Sequence, residues 1–253
     1  MELTINAVSL AGAALLALTV ALPVRAEPIR NVVIVHGALV DGSGWRGVYD
    51  RLTDRGYNVT VVQPPMTTLA EDVAAAHRVL ELQDGPSVLV GHSYGGMIIT
   101  EAGTTDDVAG LVYIAAFQPD EGETLAGLAG ETPPATTGIK ATSDGFLYLD
   151  PAVFAADFAA DVPATDAEFL AHSQVFPATV TFETKISTPA WKTKPSWALI
   201  PGKDRAINPD LMRKMAERAG SKVEEIDASH AVFISRPDAV AAMIESAANA
   251  LAD

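Results

Sequence analysis

Val88-Leu89-Val90-Gly91-His92-Ser93-Tyr94-Gly95-Gly96-Met97-Ile98-Ile99 decides the reading of this chain. A short apolar run ends in Gly-x-Ser-x-Gly, and an apolar stretch of helical character follows. That context is what a nucleophile elbow requires: a strand delivers the chain to a sharp turn, and a helix leaves from it. Ser93 at the apex is expected to hold a strained backbone with its hydroxyl presented. Gly91 and Gly95 flank it because a Cβ at either position would meet the neighbouring strand or helix. The five-residue pattern draws its specificity from the strand before it, the helix after it and the partners found elsewhere in the chain.

Upstream, Asn31-Val32-Val33-Ile34-Val35 is a continuous β-branched run of the kind buried on both faces of a parallel sheet. It leads into His36-Gly37-Ala38 and a glycine-rich loop, then a helix over about 44–55 ending at Gly56. A strand over 59–62 stops at Pro64-Pro65, and residues 67–82 carry Leu69, Val73, Ala76 and Leu80 at helical spacing. Downstream of the elbow, residues 108–115 read as another buried strand. Alternation then stops from Phe117 to about Lys194, a stretch rich in Ala, Pro, Thr and Asp with scattered aromatics. It resumes with a strand over 196–200, a helix over 209–219 with Asn208 as N-cap, a short strand over 222–226 and a closing helix over 237–251. Strands alternating with helices imply an α/β domain: a mostly parallel central sheet with helices on both faces. About 75 residues between two sheet strands are too many for a loop, so 117–194 reads as an inserted lid of a few short helices.

The bulk composition narrows the partners. The chain has 253 residues, 49% hydrophobic, which suffices for one domain with a sizeable core. Its formal net charge is −15, and no basic patch interrupts the acidity, which argues against nucleic acid and anionic membranes as partners. With no cysteine, disulfides, thiolate metal ligands and a thiol nucleophile are excluded. No motif for a metal, nucleotide or flavin is present, and no cofactor is expected. Oligomeric state is not written in the sequence.

Residues 10–22 form an apolar run rich in Ala and Leu that ends at Pro23-Val24-Arg25-Ala26, and the chain turns polar at Glu27. This resembles a signal-peptide core and small-residue cleavage site, and it is short for a membrane span. The n-region departs from the pattern in carrying Glu2 and no Lys or Arg. The expectation is export to the periplasm or beyond, cleavage after Ala26, a folded domain over 27–253 and no stable membrane association thereafter. If residues 1–26 do not act as a signal, the chain stays in the cytoplasm.

A serine hydroxyl needs a base to take its proton. Of five histidines, His92 adjoins Ser93 and should point away from it, His36 lies in the first loop, His77 in a helix and His172 in the lid. His230 follows the last strand in Asp227-Ala228-Ser229-His230, where a strand end would carry it to the elbow. The base needs an orienting carboxylate. Asp204, in Pro201-Gly202-Lys203-Asp204-Arg205 after a late strand, completes the chain order Ser, Asp, His. Asp120 or Glu121 could serve instead; Asp227 is too near His230 to reach round it. Backbone N–H donors for a developing oxyanion are expected from Tyr94, after the nucleophile, and Ala38, in the first loop. No substrate-binding side chain can be named, because the lid residues cannot be oriented.

Val-His-Gly-Ala with a downstream Gly-x-Trp, Gly-His-Ser-Tyr-Gly-Gly, Lys-Asp-Arg after a late strand and Ser-His before the last helix together resemble the α/β-hydrolases. More narrowly, they resemble the small esterase branch related to plant hydroxynitrile lyases and methyl-salicylate-type esterases, in its bacterial form. The resemblance covers about residues 29–250 and is least specific in the lid. It implies an α/β-hydrolase fold and carboxylic ester hydrolysis through an acyl-enzyme, with Ser93, Asp204 and His230 matching the triad motifs; the aromatic content points to an apolar pocket, and the expected substrate is a small or medium, apolar ester. Cyanohydrin-cleaving members carry a Lys directly after the catalytic His; here Ala231 stands there. The other readings are an amidase, lactonase, thioesterase or hydroxynitrile-lyase-like enzyme on the same site, and a hydrolase-like fold that only binds a small molecule.

Overall fold

The computed structural model describes Met1 and residues 29–252; the expected leader and its cleavage site lie outside the described residues. β1 (Asn31–Val35), β2 (Asn58–Val62), β3 (Ser87–Ser93) and β4 (Val108–Ala116) alternate with α1 (Arg46–Asp54), α2 (Leu69–Leu80) and α3 (Gly95–Ala102). The inserted region holds α4 (Leu125–Glu131), a hairpin of β5 (Ile139–Ala141) and β6 (Leu147–Leu149), then α5 (Pro151–Asp157), α6 (Ala164–His172) and α7 (Thr179–Glu183). β7 (Ser196–Pro201), α8 (Pro209–Ala219), β8 (Lys222–Ile226), α9 (Val232–Ser235) and α10 (Pro237–Ala250) complete the chain. The main sheet has six strands in the order β2-β1-β3-β4-β7-β8, every neighbour parallel.

The central strands are the most apolar because both their faces are covered. All five residues of β1 and all seven of β3 are buried. α10 lies against β3, β4 and β7, and α3 against β1, β3 and β4 from the other side. Local chemistry sets the helix ends. Thr68 caps α2 by accepting from the Glu71 amide, and Asn208 caps α8 by accepting from Asp210, with Pro209 in the first turn. β2 and β8 are the edge strands, and β8 has four of its five residues exposed.

Three details depart from the sequence reading. The first helix is preceded by a separate 3-10 turn over Gly42–Trp45, where Asp41 accepts from the Ser43 amide. The lid contains the β5–β6 hairpin as well as helices; three-residue strands show too little alternation to be read, and this pair is held partly by a bridge between Phe146 and Ala178. β4 carries a bulge. His92 pairs with Ile114 but Ser93 pairs with Ala116, leaving Ala115 unpaired at φ +46°. The bulge brings the Phe117 amide to the Ser93 carbonyl at 3.2 Å and the chain hard against α3.

That approach makes Gly96 irreplaceable. A Cβ there would lie 2.0 Å from the Phe117 carbonyl oxygen, a backbone atom that cannot swing aside. Gly96→Ala is expected to destabilise the protein at or above the upper end of the roughly 1–3 kcal/mol typical of overpacking. A fall in the denaturant midpoint at unchanged slope would record it.

Candidate active site

The elbow is built by close packing. β3 ends at Ser93, whose φ of +53° is left-handed, a conformation an L-residue holds only when its surroundings impose it. A Cβ on Gly91 would stand 2.7 Å from the Gly95 carbonyl oxygen, and one on Gly95 would stand 2.5 Å from the Val35 carbonyl oxygen. Strand, turn and helix are thus pressed together with no room for side chains, and Ser93 is left at the apex. It lines a cavity of about 200 Å³ together with Ala38, Tyr94 and His230.

His230 lines that cavity and Asp204 stands behind it, each on a loop at the carboxyl end of one of two neighbouring strands. Asp204 Oδ2 accepts from His230 Nδ1 at 2.6 Å. Its other oxygen, Oδ1, accepts from the Ala206 and Ile207 amides, each at 2.8 Å. Three donors therefore fix the carboxylate, and the bond to Nδ1 leaves Nε2 as the ring nitrogen able to accept a proton. Both side chains are buried. The imidazole plane is held by Phe158, edge-on at 4.6 Å and 79°, and by His92 at 4.7 Å. A base so oriented beside a serine at an elbow can turn a hydroxyl into a nucleophile.

Ala38 and Tyr94 border the same cavity. Among the loop and turn hydrogen bonds of the described residues, neither amide is engaged by a backbone carbonyl, whereas the Leu39 amide donates to the Val175 carbonyl at 3.1 Å. Leu39, at φ +69°, turns the chain after Ala38. Tyr94 is anchored by a residue the sequence reading overlooked. Its hydroxyl donates to Asp72 Oδ2 at 2.7 Å, and Asp72 Oδ1 accepts from the Met66 amide at 2.7 Å. Asp72 is fully buried, and burial pushes its carboxyl up despite these two donors. Burial likewise raises the Tyr94 phenol, so it stays a neutral donor. The signal was available: Asp72 falls three residues after Leu69 on the apolar face of α2, where only a partnered carboxylate belongs.

The alternatives considered for the site are elsewhere. Asp120 pairs with Lys192 at 2.6 Å, Glu121 is exposed, and Asp227 pairs with Lys203 at 2.7 Å. His172 is exposed, and His77 meets the Ala102 carbonyl at 3.2 Å. His36 donates from Nδ1 to the Gly37 carbonyl at 2.8 Å. His92 Nε2 donates to the His230 carbonyl at 3.1 Å, and its ring stands 4.7 Å from the His230 imidazole.

Burial, with the neighbouring His230 imidazole second, depresses His92 well below its ordinary 6.5. Burial also lowers His36. Both therefore bind a proton less readily in the folded state than in the unfolded chain, which protonates them below about pH 6.5. The unfolded state then binds more protons, so stability falls as pH drops below that value, by at most about 1.4 kcal/mol per pH unit for each group and only until pH reaches that group's lowered folded value. Denaturant midpoints measured across this range are expected to show the decline, and His92→Gln is expected to flatten it by one proton.

The family model described as the alpha/beta hydrolase family matches residues 32–243, well over half of the chain. The chain belongs to the alpha/beta hydrolase family. This hydrolase is 29% identical over 246 residues to alpha/beta hydrolase nvfD of Aspergillus novofumigatus, covering 86% of this chain and 96% of that one. A carbendazim hydrolyzing esterase of Nocardioides is 35% identical over 127 residues, covering 41% of this chain and 49% of that one. A pyrethroid hydrolase from Sphingobium faniae shares the fold, with a TM-score of 0.75 at 24% identity over 88% of this chain and 98% of the other.

The hydrolase's cavity is almost wholly apolar. Phe117, Leu125, Ile139, Phe158, Phe182 and Ile207 are its large apolar lining residues. Of the lid aromatics, Phe117, Phe158 and Phe182 therefore face the cavity, while Phe154 backs Phe158 and Phe169 is exposed. Among the described residues, no group of three or more His, Asp or Glu side chains is disposed to hold a metal ion, and no helix is long and apolar enough to cross a membrane.

Proposed function

We propose that this hydrolase is a serine carboxylesterase. The observation that carries the reading is the 2.6 Å bond from His230 Nδ1 to Asp204, with His230 and Ser93 on one cavity. Ser93 Oγ attacks the ester carbonyl carbon while His230 Nε2 takes the hydroxyl proton. The Ala38 and Tyr94 amides receive the tetrahedral oxyanion, a contribution of about 3 kcal/mol per donor in comparable sites. His230 gives its proton to the departing alcohol, then activates the water that frees the acid and regenerates Ser93. Asp204 holds the imidazole in the required tautomer throughout.

The substrate is a small or medium neutral ester. The cavity wall offers no charged side chain, its tyrosine hydroxyl is committed to Asp72, and the net charge of −15 disfavours anionic substrates at long range. The esterase and pyrethroid-hydrolase relatives agree with this reading. Ala231, fully buried after His230, takes the place of the lysine that cyanohydrin-cleaving relatives carry, which favours hydrolysis over lyase chemistry. We further infer that residues 1–26 export the chain, a reading that N-terminal sequencing of the mature protein tests.

A fluorophosphonate probe, followed by peptide mapping, is expected to label Ser93. A panel of short p-nitrophenyl esters, anilides, lactones, thioesters and cyanohydrins at matched concentration is expected to show turnover of the esters first. An amide-only profile would overturn the esterase reading, and no labelling at Ser93 would favour a binding protein.

A further inference from the structure

The proposed base follows an exposed edge of the sheet. His230 follows β8, an edge strand that among the described residues is bonded only to β7 and is exposed at four of five positions. Little in that strand can hold an imidazole to the tolerance that proton transfer needs. His92, on β3, holds the His230 carbonyl and one side of its ring; further restraint comes from the lid, through five consecutive residues, 157–161.

Asp157, at the end of α5, accepts on Oδ1 from Arg205 Nε at 2.7 Å and on Oδ2 from Thr136 Oγ1 at 2.7 Å. The Thr136 amide donates to the Arg205 carbonyl at 2.9 Å, closing a ring around the residue that follows Asp204. Four residues on, Asp161 accepts from Ser229 Oγ, the residue before His230. Between them, the Phe158 carbonyl accepts from the Ala231 amide at 2.9 Å, and its ring stands edge-on to His230. Asp157, Phe158 and Ser229 are buried. Burial pushes the Asp157 and Asp161 carboxyls up, but their donors outweigh it, and both stand below the usual carboxylate range. Their bonds are therefore charge-assisted, the stronger kind.

We propose that the 157–161 segment assembles the base, with Asp157 and Asp161 as positioning residues acting through Arg205 and Ser229 on the two loops that carry Asp204 and His230. The inserted region is thus part of the reaction machinery. A lid that moves to admit substrate must pivot elsewhere and leave this segment seated.

The inference rests on the serine-esterase reading, and the experiment separates the two. Asp157→Asn and Asp161→Asn, singly and together, are assayed on a short p-nitrophenyl ester, with active sites counted by fluorophosphonate titration. The double variant is expected to lose about 100-fold in kcat per titrated site with KM changed by no more than about twofold, the size of effect that a displacement of about 1 Å produces. Asp144→Asn, a lid carboxylate that among the described residues is bonded only within the hairpin turn, is expected to leave kcat unchanged. A double-mutant cycle supplies the readout that general loosening would not move. In a Ser229→Ala background, Asp161→Asn is expected to have no further effect on kcat. Wild-type kcat in the double variant beside an inactive Ser93→Ala protein overturns this proposal alone; an active Ser93→Ala protein overturns both. If the double variant does not fold, the Asp161–Ser229 cycle decides, and additive losses there overturn the proposal.

Discussion

Ser93→Ala is expected to lower turnover of a short p-nitrophenyl ester by about 10⁶-fold, with KM and thermal stability close to the parent's. The size follows from what is removed. Alanine keeps the Cβ that packs beneath the elbow and the same φ of +53°, so strand, turn and helix are undisturbed. Only the oxygen that becomes bonded to the acyl carbon is lost. His230, Asp204 and the oxyanion donors then have nothing to activate, and the residual rate comes from binding and donor groups acting on water. Because the three side chains act as one unit, His230→Ala should fall to nearly the same floor, and the double variant no lower. Steady-state kinetics on variants purified free of parent enzyme measure this. A Ser93→Ala protein within tenfold of the parent would end the mechanism.

Asp204→Asn is expected to cost about 10⁴-fold in kcat while leaving the fold intact. The side-chain oxygen of asparagine can keep the Ala206 and Ile207 amides. Its NH₂ group must then face His230 Nδ1, where the carboxylate accepted at 2.6 Å. A donor there makes Nδ1 accept, which moves the ring proton to Nε2, the nitrogen that has to receive the proton from Ser93. The tautomer is wrong although every atom is nearly in place. A kcat within tenfold of the parent would mean that Asp204 does not orient the base.

Much of this was legible in the chain, for local reasons. The elbow is a contiguous segment whose glycines, strand and helix are set by near neighbours, so its pattern survives in one dimension. Asp204 and His230 were reachable because parallel α/β topology puts each post-strand loop at the same sheet edge, and chain order then names the candidates. Asn208 and Pro237 were readable for the same reason: each acts on residues next to it. The lid was legible only as an interruption. Its hairpin strands are three residues long, and what holds them is the bridge to Ala178 and contacts across the insertion.

The sequence by itself determined the sheet, the elbow and the candidate chemistry, because hydrophobic periodicity and turn chemistry act over a few residues. Tertiary structure alone decided which carboxylate reaches His230, since Asp120 differs from Asp204 in where its strand end delivers it, to Lys192 and not to the imidazole. It also decided that Asp72 anchors Tyr94, that three lid aromatics line the cavity, and that Asp157 and Asp161 grip both loops of the proposed base. Those contacts join residues 22 to 68 positions apart. No local preference encodes them; they exist because burial leaves each polar group only the partners that folding brings to it.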